Sequence, residues 1–158
     1  MNERIIIVAL CMGTLLSGYA CAGSSDLGVR DGYLSPCPDK PNCVSSQSTD
    51  PAHAVEPLTY TGTAVEAIAD LKIILGQMKR VNIIKESPDY LHVTFTSFVF
   101  RFVDDVEFVI EEAAKVIHIR SASRTGYSDL GVNRKRVEKI RKLWEQRLLT
   151  LKHTTGLR

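Results

Sequence analysis

Hydrophobic and polar residues recur along residues 57–151 with two different periods. After Thr63, apolar residues come three and four positions apart as far as Met78, which predicts an amphipathic helix. Glu66 lies three residues after Thr63, so the two form the sequence signature of an N-terminal capping box. A second apolar stripe predicts a closing helix over residues 134–151. This stripe comprises Val137, Ile140, Trp144, Leu148 and Leu151.

The chain between the two helices is predicted to form four strands. Alternation of apolar and polar residues, typical of a half-buried strand, is clearest in residues 90–96 and 106–111. The apolar residues of the first stretch fall at odd positions, whereas the phenylalanines of residues 98–102 fall at even ones. Because a slip of one residue moves every following side chain to the other face of a sheet, a bulge or bend is expected near Ser97. The predicted strands are residues 81–86, 90–96, 106–111 and 116–121.

A short candidate strand at residues 57–62 completes the element order β-α-β-β-β-β-α. This order is typical of an α+β domain, in which both helices pack on one face of an antiparallel sheet of about five strands. The other face would be polar, and it could lie open to water or form a concave binding surface. Its predicted side chains are His92, Thr94, Arg101, Glu107 and Arg120.

Residues 1–20 have the pattern of a secretory signal peptide. Arg4 precedes an apolar run from Ile5 to Leu16, and small residues follow, which is the expected order of a basic start, an apolar core and a cleavage site. An uncleaved anchor is the alternative, although the run is shorter than the roughly 20 residues that span a membrane. We therefore expect an exported protein.

Cys21 directly follows Ala20 and resembles the lipidated cysteine of bacterial lipoproteins. Residues 18–19 depart from the pattern that precedes such a cysteine, and simple cleavage of the signal is the alternative. Lipidation predicts a protein anchored at the periplasmic face of a membrane in the cell envelope. Residues 21–35 are predicted to form a flexible tether, followed by a single domain at residues 36–158.

Cys37 and Cys43 have five residues between them, in a proline-rich stretch. Because an exported protein matures in an oxidising compartment, we expect a disulfide, which would stabilise the fold by about 2 kcal/mol. A zinc site is an alternative, with His53 as a further ligand, but no fourth ligand is evident. A redox-active pair is the third alternative, although such pairs usually have two residues between the cysteines.

The most unusual polar stretch is residues 120–136, which we call the Arg-rich segment. It joins the last predicted strand to the last helix, and it places basic residues at positions 134–136 in the first helical turn, after a predicted cap at Asn133. Cations at a helix N-terminus cost about 0.3–1 kcal/mol each, so an acidic partner is expected. An internal ion-pair network with the carboxylates of residues 104–112 is the favoured partner. The alternative is an external anion, which arginines and helix amides bind well.

Asp104 and Asp105 could instead form a catalytic pair. Neighbouring residues on a strand point to opposite faces, which disfavours that geometry outside a turn, and a salt-bridge role is favoured. No serine of the Arg-rich segment has the glycine-flanked pattern of a hydrolase nucleophile. His53, His92 and His118 are scattered and show no acidic partner in the sequence. No cofactor or metal motif is present, and the net charge of +2 gives no reason to expect nucleic acid.

Three stretches together resemble one known family. They are PCPDKPNCVSSQ at residues 36–47, RFVDDVEF at 101–108 and RSASRTGYSDLGVNRKR at 120–136. They resemble the family catalogued as domain of unknown function 1499, and the resemblance extends from about residue 32 to residue 148. It implies an exported domain of the bacterial envelope, often lipid-anchored, with relatives in plastids. It implies no reaction.

Three hypotheses follow from these motifs. The leading one is a non-catalytic envelope domain, anchored to the membrane through Cys21, that binds a small anion, a lipid head group or an envelope protein through the Arg-rich segment. The second is a hydrolase that uses Asp104 or Asp105 as base, with Arg120 or Arg124 holding the substrate. The third is a structural protein whose polar motifs only join loops to the sheet. The candidate binding residues are Arg101, Asp104, Asp105, Arg120, Ser121, Ser123, Arg124, Tyr127, Asp129, Asn133 and Arg134.

Overall fold

A computed structural model describes residues 27–156 of the chain. The predicted signal peptide, residues 1–20, and the predicted lipidation site at Cys21 lie outside the described residues. The elements in chain order are β1 (Val29–Arg30), β2 (Tyr33–Leu34), β3 (Cys43–Ser45), β4 (Leu58–Thr59), α1 (Ala64–Gly76), β5 (Val81–Ser87), β6 (Tyr90–Thr96), β7 (Val103–Glu111), β8 (Val116–Ser123) and α2 (Val132–Thr155).

The main sheet has six strands, each antiparallel to its neighbours. Its order is β3-β8-β7-β6-β5, and β4 also pairs with β8. The α+β class is therefore confirmed. The predicted number of about five strands is one too few because β3 shows no alternation: all three of its residues are buried.

Both helices pack on one face of this sheet, as predicted. The capping box is also confirmed, since Glu66 N donates to Thr63 Oγ1 (3.2 Å) and Thr63 N donates to Glu66 Oε2 (2.8 Å). Among the described residues, every member of the main core lies between Val44 and Leu148. The helical part of this core includes Ile68, Leu71, Ile74, Leu75, Val137, Ile140 and Trp144.

The change of phase expected near Ser97 marks the end of a strand. β6 and β7 pair as far as Thr96 and Val103, and residues 97–102 form a hairpin loop, which we call the aromatic loop. Ser97 N donates to Phe102 O (2.8 Å), and Phe102 N donates to Ser97 Oγ (2.9 Å), so the loop is closed by two hydrogen bonds. Its phenylalanines are exposed, and β7 then regains the predicted inward side chains. These are Val106, Phe108 and Ile110.

The polar face of the sheet is partly covered by the start of the described chain. Residues 28–34 lie within the predicted tether, but they contain the hairpin β1–β2. Leu34 forms a small apolar cluster with Tyr90 and Val109 of the sheet, and Gly28 N donates to a carboxylate of β7 (2.7 Å). Tyr33 and Leu34 are too short a pattern to predict such a strand from sequence.

Four of the five side chains predicted on that polar face are there, but they are buried rather than open to water. Arg101 is the exception, because it lies in the aromatic loop and not on a strand. Burial of so many polar groups requires partners for each of them. The buried four are His92, Thr94, Glu107 and Arg120.

Candidate functional site

The Arg-rich segment spans three parts of the fold. Its first residues end β8, residues 124–131 form a loop, and the remainder lies in α2. In the antiparallel register, β7 runs beside β8, so the carboxylates of β7 lie next to the segment. The predicted internal network is confirmed by three ion pairs. They are Asp104 with Arg136, Asp105 with Arg124, and Glu107 with Arg120.

The first ion pair lies on the helix side of the sheet. The Arg136 guanidinium binds the Asp104 carboxylate and also donates to Ser121 Oγ (3.0 Å). Its carbon centre lies 4.8 Å from the centroid of the Phe95 ring, a cation–π contact. Arg136 therefore joins α2 to three strands of the sheet, and the acidic partner expected for the basic first turn is a strand carboxylate.

Asn133 and Asp129 organise the turn that leads into α2. The predicted cap at Asn133 is wrong: Gly131 is the N-cap residue, and Asp129 Oδ2 accepts from Asn133 N (2.7 Å). The side-chain amide of Asn133 instead accepts from Ser121 Oγ through Oδ1 (2.6 Å) and donates to Ser123 Oγ through Nδ2 (2.9 Å). The Asn133 side chain is thus used within the fold, which explains why a capping residue type occurs two residues after the N-cap.

Asp105 lies on the opposite face of the sheet and is 2% exposed. Arg124 donates to it through Nε and Nη2 (both 2.8 Å), and His92 Nε2 lies 2.8 Å from Oδ1. Burial alone would raise the pKa of this carboxyl, but the hydrogen bonds and charges of Arg124 and His92 outweigh burial and lower the pKa to about 2. The hydrogen bonds to Asp105 in turn raise the pKa of Arg124.

Glu107 is the centre of a second buried group on that face. Its carboxylate accepts from Tyr90 Oη (2.7 Å), Gly28 N (2.7 Å) and Arg120 Nη1 (3.2 Å). Burial, followed by the hydrogen bond to Glu107, raises the pKa of Tyr90. Arg120 is 1% exposed, and among the described residues its Nε has no hydrogen-bond partner. The start of the described chain therefore contacts an ion pair whose two side chains are almost completely buried.

Asp104 and Asp105 do not form a shared site. They point to opposite faces of β7, are 5% and 2% exposed, and each is neutralised by its own arginine. A general base needs an open path to its substrate and a pKa near the working pH. This arrangement gives the hydrolase hypothesis no geometric support.

Arg134 and Tyr127 complete the predicted set. Arg134 donates to the carbonyl oxygens of Ala54 (2.7 Å) and Ala52 (2.8 Å), which joins α2 to the loop before β4. The Tyr127 ring is 70% exposed. Of the predicted site residues, only Arg101, Arg124 and Tyr127 therefore present much of their side chain to solvent.

The exposed charges are unevenly distributed between the two ends of the sheet. Four loops meet at one end, where β6 and β8 finish and β5 and β7 begin: residues 38–42, 77–80, 97–102 and 124–131. We call this the basic end. Its exposed cations are Lys40, Lys79, Arg80, Arg101 and Arg124, against the single exposed carboxylate of Asp39.

The turns at the opposite end, which we call the acidic end, join β5 to β6 and β7 to β8. The charged side chains there are mostly carboxylates. The exposed carboxylates are those of Glu86, Asp89, Glu111 and Glu112, and the exposed cations are Lys85 and Lys115.

Apolar side chains also project from the basic end, and sequence reasoning missed them. In the aromatic loop, Phe98 is 75%, Val99 72%, Phe100 73% and Phe102 54% exposed. Their alternation imitates that of a strand, so the pattern assigns them to a sheet face. The signal that could have identified them is the loss of phase at Ser97, since a hairpin loop begins where two strands stop pairing.

A disulfide joins Cys37 to Cys43, as predicted, with an Sγ–Sγ distance of 2.06 Å. His53, considered above as a zinc ligand, instead places Nδ1 2.8 Å from the Cys43 carbonyl oxygen. A groove of about 530 Å³ lies beside the disulfide. No candidate binding residue of the Arg-rich segment lines it. The groove residues include Tyr33, Ser45, Gln47, Asp50 and His53.

Each of the three histidines has an acidic neighbour that was not evident from the sequence. His92 lies against Asp105, His118 Nε2 lies 2.8 Å from Glu111 Oε2, and His53 Nε2 lies 3.8 Å from an Asp50 oxygen. The first two pairs join residues that are 13 and 7 positions apart, on neighbouring strands. Only the register of those strands brings such residues together.

Two further features are absent from the described part of the chain. Residues 27–156 contain no cluster of three or more histidines, cysteines or carboxylates able to hold a metal ion. Among the same residues, no helix has both the length and the apolarity needed to cross a bilayer.

Comparison with protein families shows which family the chain belongs to. The model of the family described as "Protein of unknown function (DUF1499)" matches residues 33–143. The chain belongs to the DUF1499 family. A comparison with curated proteins finds no match.

The DUF1499 match covers both the network and the exposed loops. It includes the disulfide, the whole Arg-rich segment and the aromatic loop, and it ends within α2. It begins at Tyr33, after β1. The buried ion pairs and the basic end therefore both lie in the DUF1499 region of this chain.

Proposed function

We propose that this chain is a non-catalytic domain of the bacterial cell envelope, which binds phosphate-bearing lipid head groups at a membrane surface through its basic end. The observation that carries the proposal is the separation of charge, with exposed cations at one end of the sheet and exposed carboxylates at the other. A molecule with this charge distribution approaches an anionic surface with its basic end first. Lipidation of Cys21 would hold the domain there.

The cations that would bind are not those of the interior network. Arg120, Arg124 and Arg136 are occupied by carboxylates, and Arg134 by carbonyl oxygens. Lys79 and Arg101 are exposed, and neither forms an ion pair within residues 27–156. Binding at the basic end therefore needs no rearrangement of the fold.

The spread of these cations favours a surface over a small soluble anion. Lys40, Lys79 and Arg101 belong to three different loops, and none of them lines the groove beside the disulfide. A single small anion would meet one of them, whereas head groups distributed over a membrane can meet each separately. A lysine or arginine close to an anionic membrane contributes about 1 kcal/mol, so several together give useful affinity.

Sedimentation with lipid vesicles tests this proposal. The protein is residues 21–158 with Cys21→Ser, which keeps the complete core but cannot carry a lipid. We expect it to bind vesicles that contain phosphatidylglycerol and not vesicles of phosphatidylcholine alone. Because exposed charges are screened by salt, binding should fall when ionic strength rises from about 0.05 M to about 0.5 M.

A charge-reversal pair and a matched control locate the surface. Lys79→Glu with Arg101→Glu should weaken binding at least about tenfold. Lys142→Glu with Lys152→Glu makes the same change in net charge on exposed positions of α2, and it should have little effect. Equal weakening by both pairs would mean that net charge alone matters, and the proposal would fail. No binding to either kind of vesicle would favour the purely structural hypothesis.

A further inference from the structure

We infer that the aromatic loop, residues 97–102, inserts its side chains into the interfacial layer of an anionic lipid bilayer. This inference rests on the proposed function, because it requires the basic end to face a membrane. It adds an apolar contact to an electrostatic one, and it names the residues that enter the lipid: Phe98, Val99 and Phe100.

Exposure of these side chains is unusual for a soluble domain. Single exposed apolar residues are common, but contiguous apolar patches mark sites of interaction. Here Phe98, Val99 and Phe100 are consecutive and each is more than 70% exposed. Their loop joins β6 to β7 at one end of the sheet. Exposed apolar side chains can enter a deformable lipid phase without a preformed pocket in a partner.

The loop holds these rings outward. The two hydrogen bonds between Ser97 and Phe102 close it, and Phe100 and Phe102 stack with their centroids 5.6 Å apart. Arg101 has a φ of 56°, in the left-handed region that few residues other than glycine adopt. Arg80 lies over the Phe98 ring at 5.3 Å from its centroid. The outward orientation is thus already present before any lipid is bound.

Charges around the loop match an anionic bilayer. Arg80 lies over the Phe98 ring, Lys79 precedes it in the chain and Arg101 belongs to the aromatic loop, and all three are exposed. Aromatic side chains favour the boundary between head groups and acyl chains, and basic residues favour the head groups. A second exposed pair on the neighbouring loop, Tyr127 at 70% and Leu130 at 86%, broadens the contact.

The position of Cys21 limits how far the domain can lie from a membrane if this cysteine is lipidated. It precedes Leu27, the first described residue, by six positions. Six residues span at most about 20 Å, so a lipid on Cys21 would keep the whole domain close to one membrane. An apolar loop held at that distance inserts at high effective concentration.

Fluorescence quenching tests the insertion directly. Phe100→Trp places an indole at the tip, in the same lipid-free chain of residues 21–158 with Cys21→Ser. The only native tryptophan, Trp144, is 2% exposed and gives a constant background. We expect phosphatidylglycerol vesicles with brominated acyl chains to quench the new indole by at least half. Tyr33→Trp is the matched control, because Tyr33 is 65% exposed but neighbours Leu34, which packs on Tyr90 and Val109 toward the acidic end. It should not be quenched.

A second variant separates this inference from the proposed function. Phe98→Ser with Phe100→Ser should reduce binding to phosphatidylglycerol vesicles at least about 30-fold, since two partly buried phenylalanines are lost from the lipid. If this variant binds as tightly as the parent chain and the indole of the Phe100→Trp variant is not quenched, the inference is overturned while the electrostatic proposal stands. If the parent chain does not bind at all, both fail. A lipid-free dimer that is abolished by the same two serines would assign the patch to a second copy of the chain, and would also overturn the inference.

Discussion

The buried part of the sheet contains charged residues, whereas the exposed aromatic loop contains phenylalanines, which is the reverse of the usual distribution. Glu107 and Arg120, a charged pair, are 0% and 1% exposed, whereas Phe98 and Phe100 are 75% and 73% exposed. Burying a charge and exposing aromatic surface to water both raise the free energy of the folded state. The first cost is offset within the fold, because the carboxylate and the guanidinium neutralise each other. Within the described residues, the second cost is reduced only by the stacking of Phe100 on Phe102 and by the contact of Arg80 with Phe98. We therefore assign the network to stability and propose that the loop binds.

The largest expected effect comes from breaking the most deeply buried pair. Arg120→Ala leaves the Glu107 carboxylate without its cation and should lower the free energy of unfolding by about 3–5 kcal/mol. Urea denaturation followed by circular dichroism measures this. Stability within about 1 kcal/mol of the parent chain would mean that water reaches Glu107 and that the pair is not structural.

A double variant controls for the loss of the side chain itself. Arg120→Met with Glu107→Gln removes both charges and keeps an acceptor for Tyr90 Oη and Gly28 N. Because no unpaired charge remains, it should recover most of the stability lost in Arg120→Ala. If it is no better than the single variant, packing and not charge pairing explains the cost.

An intermediate effect is expected from acid. The Asp105 pKa is about 2 in the folded protein, below the ordinary value of 3.8. The unfolded chain therefore takes up this proton first as pH falls. The contribution of Asp105 is complete above about pH 5 and is lost progressively between about pH 4 and pH 2, to a total of about 2 kcal/mol.

Comparison with Asp105→Asn isolates this contribution. The variant has no carboxyl at that position, so its free energy of unfolding should fall less steeply between about pH 4 and pH 2 than that of the parent chain. If the free energy of unfolding depends on pH in the same way in both proteins, Arg124 and His92 do not lower the pKa of Asp105.

The smallest effect on stability is expected at the aromatic loop. Phe98→Ser should change the free energy of unfolding by less than about 0.5 kcal/mol, because the ring is already exposed to water. Phe108→Ser is the matched substitution in the core, where the ring is 0% exposed, and it should cost about 3–5 kcal/mol. Thermal unfolding of the two variants compares them. A large loss for Phe98→Ser would show that the loop is part of the fold's stability, and our separation of the two regions would be wrong.

Much of the fold was predictable because its signals are local. The capping box of α1 needs only Thr63 and Glu66, and the strands 90–96 and 106–111 show a period that few residues establish. The pairing of Cys37 with Cys43 was predictable for the same reason, since the two lie close in sequence. Strand β3 and the hairpin β1–β2 were not, because two or three residues are too few to show a period.

The candidate site was predictable in composition but not in geometry. The excess of arginine in one segment and of carboxylate in another indicated an internal network before any contact was known. Which arginine binds which carboxylate depends on strand register: Arg136 and Asp104 are 32 positions apart and meet only when α2 crosses the sheet. The cap at Asn133 was misplaced because the helix begins after Gly131, and Asp129, four residues before Asn133, accepts from the Asn133 backbone N–H.

The sequence by itself determined the α+β class, the helices, the disulfide and the presence of matched opposite charges, because each depends on short-range periodicity or on composition. Only the tertiary structure decided that the polar face is buried, that Asp104 and Asp105 serve opposite sides of one strand, and that the phenylalanines of the aromatic loop are outside. Period-two alternation reports that a segment has two faces. It does not report whether neighbouring strands, helices or hairpins cover those faces, and only the packing of distant segments decides that.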